Sequence, residues 1–70
     1  MKLARLRAGD EVVCEHRGAR FTASVLERRD GRLRVRVTER GQLPRGWFVD
    51  DHAELTARQV VRRERKAARA

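Results

Sequence analysis

Residues 31–38 read GRLRVRVT, a stretch in which apolar and charged side chains alternate without interruption. Successive side chains of a β-strand point to opposite faces. The alternation therefore separates three apolar side chains from three guanidinium groups: Leu33, Val35 and Val37 on one face, Arg32, Arg34 and Arg36 on the other. We predict a strand whose apolar face enters a core and whose arginine face meets water.

Two more strands are predicted before this one. Residues 9–16 open with a Gly-Asp turn signal and continue as a strand, and residues 20–28 form a second alternating run after a turn at 17–19. Leu26 interrupts that alternation, which indicates a bulge or a residue that covers the end of the core. The Asp30-Gly31 pair between two alternating runs predicts a tight hairpin, so these strands are antiparallel neighbours.

The second half of the chain is less regular. Residues 39–46 hold the only proline and predict a loop, residues 47–49 predict a short fourth strand, and residues 50–54 predict an acidic loop. Trp47 and Phe48 are adjacent and face opposite sides, and we expect Trp47 in the core and Phe48 partly exposed.

The segment after Thr56 has two interpretations. Thr56 caps a helix that runs to the end of the chain, or residues 56–59 form a 3₁₀ turn that is followed by a last strand over residues 60–62.

These elements predict an all-β fold, a small barrel of four to five antiparallel strands with the short C-terminal helix as an open alternative. We expect a basic lead-in over residues 1–8, in which Leu3 and Leu6 cover one end of the core, then the barrel over 9–62 and a basic tail over 63–70. Seventy residues make one small domain with a thin core.

The formal net charge of +8 narrows the classes of partner. Such an excess attracts polyanions, namely nucleic acid, an anionic membrane or an acidic protein. Sixteen of the eighteen basic residues are arginine, so a composition bias of the genome is an alternative source of the charge. The chain has no apolar run of membrane-spanning length and a single cysteine, and we expect a cytoplasmic protein without a membrane partner.

Residues 9–38 carry a family resemblance. The pattern Gly9-Asp10-x-Val12, Gly18, Arg20-Phe21-x-Ala23-x-Val25 and Gly31-x-Leu33-x-Val35-x-Val37 resembles the opening of Tudor and KOW-type domains, with Trp47 and Val60 in later strands. The resemblance implies a Src-homology-3-like β-barrel that binds RNA, DNA, ribosomal components or peptide segments. The chain departs from methyl-reading Tudor domains because its three aromatic residues are too few for an aromatic cage, so that activity is not expected.

Arginine positions give the leading site hypothesis. Guanidinium groups bind phosphate oxygens in a bidentate manner, which suits a nucleic-acid backbone. The predicted nucleic-acid-binding residues are Arg28, Arg29, Arg32, Arg34, Arg36, Arg40 and Phe48, the last as a stacking platform for a base. A secondary basic anchor is predicted at Arg62, Arg63, Arg65 and Lys66. The competing interpretation of both clusters is a charged, solvated surface that discourages aggregation.

Metal binding and catalysis have weak signals. Cys14, His16 and His52 lack the spacing of a zinc site, and Asp51 beside His52 has no nearby nucleophile. We therefore expect no metal, no cofactor and no enzymatic activity.

The alternative function is a small protein-interaction or inhibitor module that binds an acidic protein or self-associates. Leu26, Leu43 and Phe48 would be its apolar anchors, with the arginines as a rim. A third alternative is a role only within a larger assembly.

Overall fold

The computed structural model describes residues 2–38 and 42–67. Five strands form one antiparallel sheet in the order β4-β3-β2-β1-β5, and two 3₁₀ turns accompany them. The strands are β1 (Glu11–His16), β2 (Ala19–Arg29), β3 (Arg32–Val37), β4 (His52–Leu55) and β5 (Val60–Arg65), and the 3₁₀ turns span Leu3–Arg5 and Ala57–Gln59. The predicted all-β fold is confirmed.

The connection between β4 and β5 forces the sheet to curl. These strands lie at opposite edges, which in a flat sheet of five strands would be roughly 19 Å apart. Residues 56–59 alone join them, three of these in a 3₁₀ turn, so the link spans roughly 13 Å. The edges must therefore converge, and the sheet wraps around a single core.

The apolar face of the alternating strand lies in that core as predicted. Leu33, Val35 and Val37 are fully buried, and they pack with inward side chains of the other strands. Leu3 and Leu6 of the lead-in segment (residues 2–8) are also buried and close one end of the core. The lead-in covers the core as expected from its two leucines.

Local turn chemistry sets the register. Asp30 and Gly31 both have positive φ, 51° and 74°, as a two-residue hairpin loop of the primed type requires, and Arg29 pairs with Arg32 across it. The predicted bulge at Leu26 is confirmed by a register shift between Val25 and Glu27.

The sequence interpretation of residues 47–54 is wrong in two respects. Trp47, Phe48 and Val49 form no strand but lie in consecutive turns, in which the Trp47 N–H donates to the Pro44 carbonyl at 3.0 Å. The fourth strand is β4, where an acidic loop was predicted. Its inward positions are Ala53 and Leu55. Two apolar residues among charged neighbours are too short an alternation to predict a strand.

The described residues after Thr56 form a 3₁₀ turn and a strand rather than an α-helix. Of the two interpretations after Thr56, the 3₁₀ turn followed by a strand is confirmed, and the helical one is wrong for the described residues through Ala67. β5 pairs with β1 and continues to Arg65, so the first residues of the predicted tail belong to the sheet.

Asp10 is a buried charged residue that joins the lead-in segment to the last described residue. Its side chain is 3% exposed, and its oxygens accept hydrogen bonds from the Arg7 N–H (3.0 Å) and the Ala67 N–H (2.6 Å). Burial raises the pKa of this carboxyl, but the two backbone N–H groups and the charges of Arg63 and Arg7 outweigh it and leave the pKa below its usual value. A carboxylate that is stabilised in this way contributes to folding only while it is ionised.

We expect Asp10→Asn to lower the free energy of unfolding by about 1–3 kcal/mol at neutral pH, because an amide cannot accept both N–H groups. For a domain of this size each kcal/mol corresponds to about 4–8 °C in Tm. Since the pKa is lowered in the folded state, the stabilisation is present above the unfolded pKa, near 4, and fades as pH falls through the folded value. Thermal melts of both proteins from neutral to acidic pH should converge at low pH. A constant difference would contradict this role.

Candidate nucleic-acid interface

The three arginines of β3 lie together on the outer face of the sheet. Arg32 and Arg34 are exposed and Arg36 is half-buried, and each alternates with a buried side chain of the same strand. Arg29 joins them from β2, where it pairs directly with Arg32. These four arginines are called the ladder surface.

Carboxylates flank the ladder surface. Glu27 faces Arg34 from β2 and Glu54 faces it from β4, and the Glu27 Oε1 atom lies 3.5 Å from Arg29 Nε and 4.0 Å from Arg34 Nη1. Arg36 Nη1 lies 2.7 Å from Asp50 Oδ1. The outer face around the ladder surface therefore carries both positive and negative charge. The spacing of the arginines in the sequence does not indicate these carboxylates.

The bulge at Leu26 causes this arrangement. Without the extra residue, the alternation that buries Val25 would also turn Glu27 and Arg29 inward. The register shift turns both residues to the outer face and places Arg28 opposite the buried Leu33. Arg28 is therefore not part of the ladder surface. Its Nη1 donates instead to the Leu3 carbonyl at 3.3 Å, at the end of the core.

Phe48 is exposed on a loop that hydrogen bonds hold in place. Its side chain is 69% exposed, as the predicted partial exposure anticipates, and its N–H donates to Asp51 Oδ2 at 2.8 Å. Asp50 follows with φ 74°, donates its N–H to the Val37 carbonyl and contacts Arg36, so the loop is joined to the end of β3. Arg40 lies outside the described residues.

Trp47 anchors the same loop from below. Its ring stacks on His16 with centroids 5.0 Å apart and meets the Phe21 ring edge-on at 5.5 Å. Gln59 accepts from the Thr56 N–H through Oε1, which leaves its Nε2 to donate to His16 Nδ1 at 2.8 Å. These contacts come from three distant parts of the chain and hold Trp47, the neighbour of Phe48, in place.

The secondary basic anchor is divided. Arg62 pairs with Glu64 on β5 at 3.2 Å, and Arg65 lies opposite Glu11 in the sheet. Arg63 and Lys66 face a separate concavity, which they line together with Arg5 and Arg7 of the lead-in segment. The sequence predicts a basic lead-in, but it does not predict that Arg5 and Arg7 belong to a site.

The structure also shows where the single cysteine lies and whether potential metal ligands are grouped. Cys14 is fully buried, and burial raises the pKa of its thiol to about 12. Across residues 2–38 and 42–67, no three His, Cys, Asp or Glu side chains are grouped as metal ligands, and no helix there is long and apolar enough to cross a membrane.

The apolar anchors of the protein-interaction alternative do not form one exposed patch. Leu43 packs against the core and Leu26 is half-buried, so Phe48 is the exposed large hydrophobic side chain of the described part of the chain.

Comparison with known proteins returns no family: no protein-family model, no curated protein and no solved structure matches the chain.

We expect the two neighbouring aromatic residues to differ in their effect on stability. Trp47→Ala should lower the free energy of unfolding by about 2–3 kcal/mol, less than for a fully buried aromatic ring, because Trp47 is half-buried. Phe48→Ala should stay within about 0.5 kcal/mol of the original protein, as for other exposed positions. Urea unfolding followed by far-UV circular dichroism measures both, and an equal loss in the two variants would contradict the assignment of Trp47 as the anchor.

Proposed function

We propose that this domain is a non-enzymatic nucleic-acid-binding module that contacts the phosphate backbone with low sequence specificity. The ladder surface carries the proposal, because it aligns arginines at alternate positions of one strand and leaves them open to solvent. Each guanidinium group offers two parallel N–H donors that match phosphate oxygens. The resemblance of residues 9–38 to Tudor and KOW-type domains, many of which bind nucleic acid, supports the same proposal.

The flanking carboxylates do not block phosphate binding. Both members of the Arg36–Asp50 pair are more than 40% exposed, and Arg34 and Glu27 are similarly exposed. Ion pairs of this kind contribute only about 0.2–1 kcal/mol, since water and salt screen them. A bidentate contact between a guanidinium group and a phosphate therefore competes favourably with these ion pairs. The overall charge of +8 also attracts the polyanion to the surface.

Phe48 supplies a second kind of contact. The Asp50 carboxylate joins its loop to Arg36 at the end of the ladder surface. A base that stacks on the exposed ring would gain ~1–3 kcal/mol, and any base has a face that can stack. An unpaired strand presents its bases for such a contact more readily than a duplex does, which favours single-stranded nucleic acid.

Low sequence specificity follows from what faces the ligand. Sequence is read through donors and acceptors on base edges, for which a helix in the major groove is a common device. In the described part of the chain, the helical elements are two 3₁₀ turns of three residues each. Backbone and stacking contacts remain, and neither discriminates strongly between sequences.

We expect the triple variant Arg32/Arg34/Arg36→Ala, the ladder variant, to stay folded and to lose most binding to a labelled single-stranded DNA of ~12 nucleotides. The slope of log affinity against log salt should fall by about 0.7 for each single-strand phosphate contact removed. Fluorescence anisotropy between ~50 and ~200 mM salt measures both quantities.

A charge-matched control removes three arginines away from the ladder surface, with the substitutions Arg17→Asn, Arg20→Ala and Arg58→Ala. Asn suits the positive φ of 51° at position 17, and Arg20 pairs with Glu15, so this variant also releases a carboxylate. The control should keep the original salt slope. Equal binding by the ladder variant and the control would overturn the role of the ladder surface.

A further inference from the structure

The two ends of the described chain meet at a basic concavity. Arg5 and Arg7 of the lead-in segment, Arg63 of β5 and Lys66 line a depression of about 380 Å³, which is called the lead-in concavity. The chain closes around it because Ala67 lies against Gly9, where an added Cβ would stand 3.1 Å from the Ala67 Cβ. Gly9 also has φ 91°, so both its backbone and its missing side chain suit this closure.

The one carboxylate in this depression compensates the basic groups only in part, through the charges of Arg63 and Arg7. Asp10 lines the lead-in concavity, but it is almost fully buried and its oxygens accept the backbone N–H groups of Arg7 and Ala67. Five ion pairs occur among the described residues. Their basic members are Arg20, Arg29, Arg34, Arg36 and Arg62. The four basic side chains of the lead-in concavity therefore keep their donors for an external anion.

The lead-in concavity has fewer carboxylates than the depression beside the ladder surface. The depression beside the ladder surface has three carboxylates among its six lining residues, whereas the lead-in concavity has one carboxylate against four basic groups. Like charges that gather around a recess without acidic partners raise its potential and attract anions. A tetrahedral phosphate with several acceptor oxygens suits converging guanidinium and ammonium donors.

We propose that the lead-in concavity is a second phosphate-binding site that holds the phosphodiester backbone of the same nucleic-acid strand. This inference rests on the proposed function. Arg28 supports continuity between the two sites, because its guanidinium contacts the Leu3 carbonyl of the lead-in segment while its neighbour Arg29 lies on the ladder surface.

Two sites on one strand make binding depend on strand length. Once one site is engaged, the second contact is intramolecular, and its effective concentration raises the total affinity. The longest dimension of the domain is 32 Å, which corresponds to about nine nucleotides at the 3.4 Å rise of a stacked strand. A strand of ~12 nucleotides is longer than the domain and can reach both sites, whereas one of ~4 nucleotides spans less than half of its longest dimension.

The test compares three variants that each lose three positive charges. The concavity variant carries Arg5→Ala, Arg7→Ala and Lys66→Ala, all at exposed side chains, so its fold should be retained. Anisotropy with the same single-stranded DNA of ~12 nucleotides should show an affinity at least about tenfold below that of the control variant and a salt slope lower by about 2. With a probe of ~4 nucleotides, the advantage of the longer strand should shrink in the concavity variant.

The outcomes separate the inference from the proposed function. If the concavity variant binds like the control while the ladder variant fails, the second site is wrong and the proposed function stands. If the original protein does not bind either probe at low salt, the proposed function and the second site both fail. Retained binding by the ladder variant with loss in the concavity variant would support the lead-in concavity and overturn the ladder surface.

Discussion

Asp10 connects three other parts of this small domain through its buried carboxylate and its backbone. Its side chain holds the lead-in segment through Arg7 and the end of the described chain through Ala67, and its backbone carbonyl accepts the N–H of Val25 in β2 at 2.8 Å. A buried charge is costly unless donors surround it, so the ionised carboxylate favours the arrangement in which the Arg7 and Ala67 N–H groups both reach it. The apolar cover by the lead-in and the basic recess beside it both adjoin this group.

The same network explains how a basic recess can form on so small a fold. A domain of this size has too little interior for an enclosed pocket, and its concavities lie where separate segments meet at the surface. Asp10 brings together two segments rich in basic residues that are far apart in the sequence. It accepts hydrogen bonds from their backbone rather than their side chains, so their positive charge remains available to a ligand.

A single inserted residue decides the character of the other surface. The bulge at Leu26 turns Glu27 toward Arg34 and turns Arg28 away. Carboxylates therefore lie among the arginines of this face and weaken its attraction for anions. The two sequence interpretations of this face, nucleic-acid binding and a solvated charged surface, stay predictions.

Local patterns in the sequence predict much of the fold. The alternation of residues 31–38, the Asp30-Gly31 hairpin and the interruption at Leu26 each depend on near neighbours, and each is confirmed. Such features need only the period of the strand and the conformational preferences of turn residues. The exposure of Phe48 is also as predicted, but its reason differs, because residues 47–49 lie in turns rather than in a strand.

Features that depend on distant partners are missed. β4 is too short and too charged for its alternation to stand out, and it forms because Ala53 and Leu55 complete the core beside β3. The direction of Arg28 follows from how the bulge shifts the pairing, and the lead-in concavity follows from a contact between residues 10 and 67. No local signal in the chain indicates that Arg5 and Lys66 are neighbours.

The central claim is that the domain binds nucleic acid through its phosphates rather than its bases. The most direct test measures the affinity of the original protein for two unrelated single-stranded sequences of equal length, each as DNA and RNA, across ~50 to ~200 mM salt. The account predicts affinities that agree within about threefold and fall along parallel lines as salt rises. An absence of binding at the lowest salt, or a strong preference for one sequence with little dependence on salt, would contradict it.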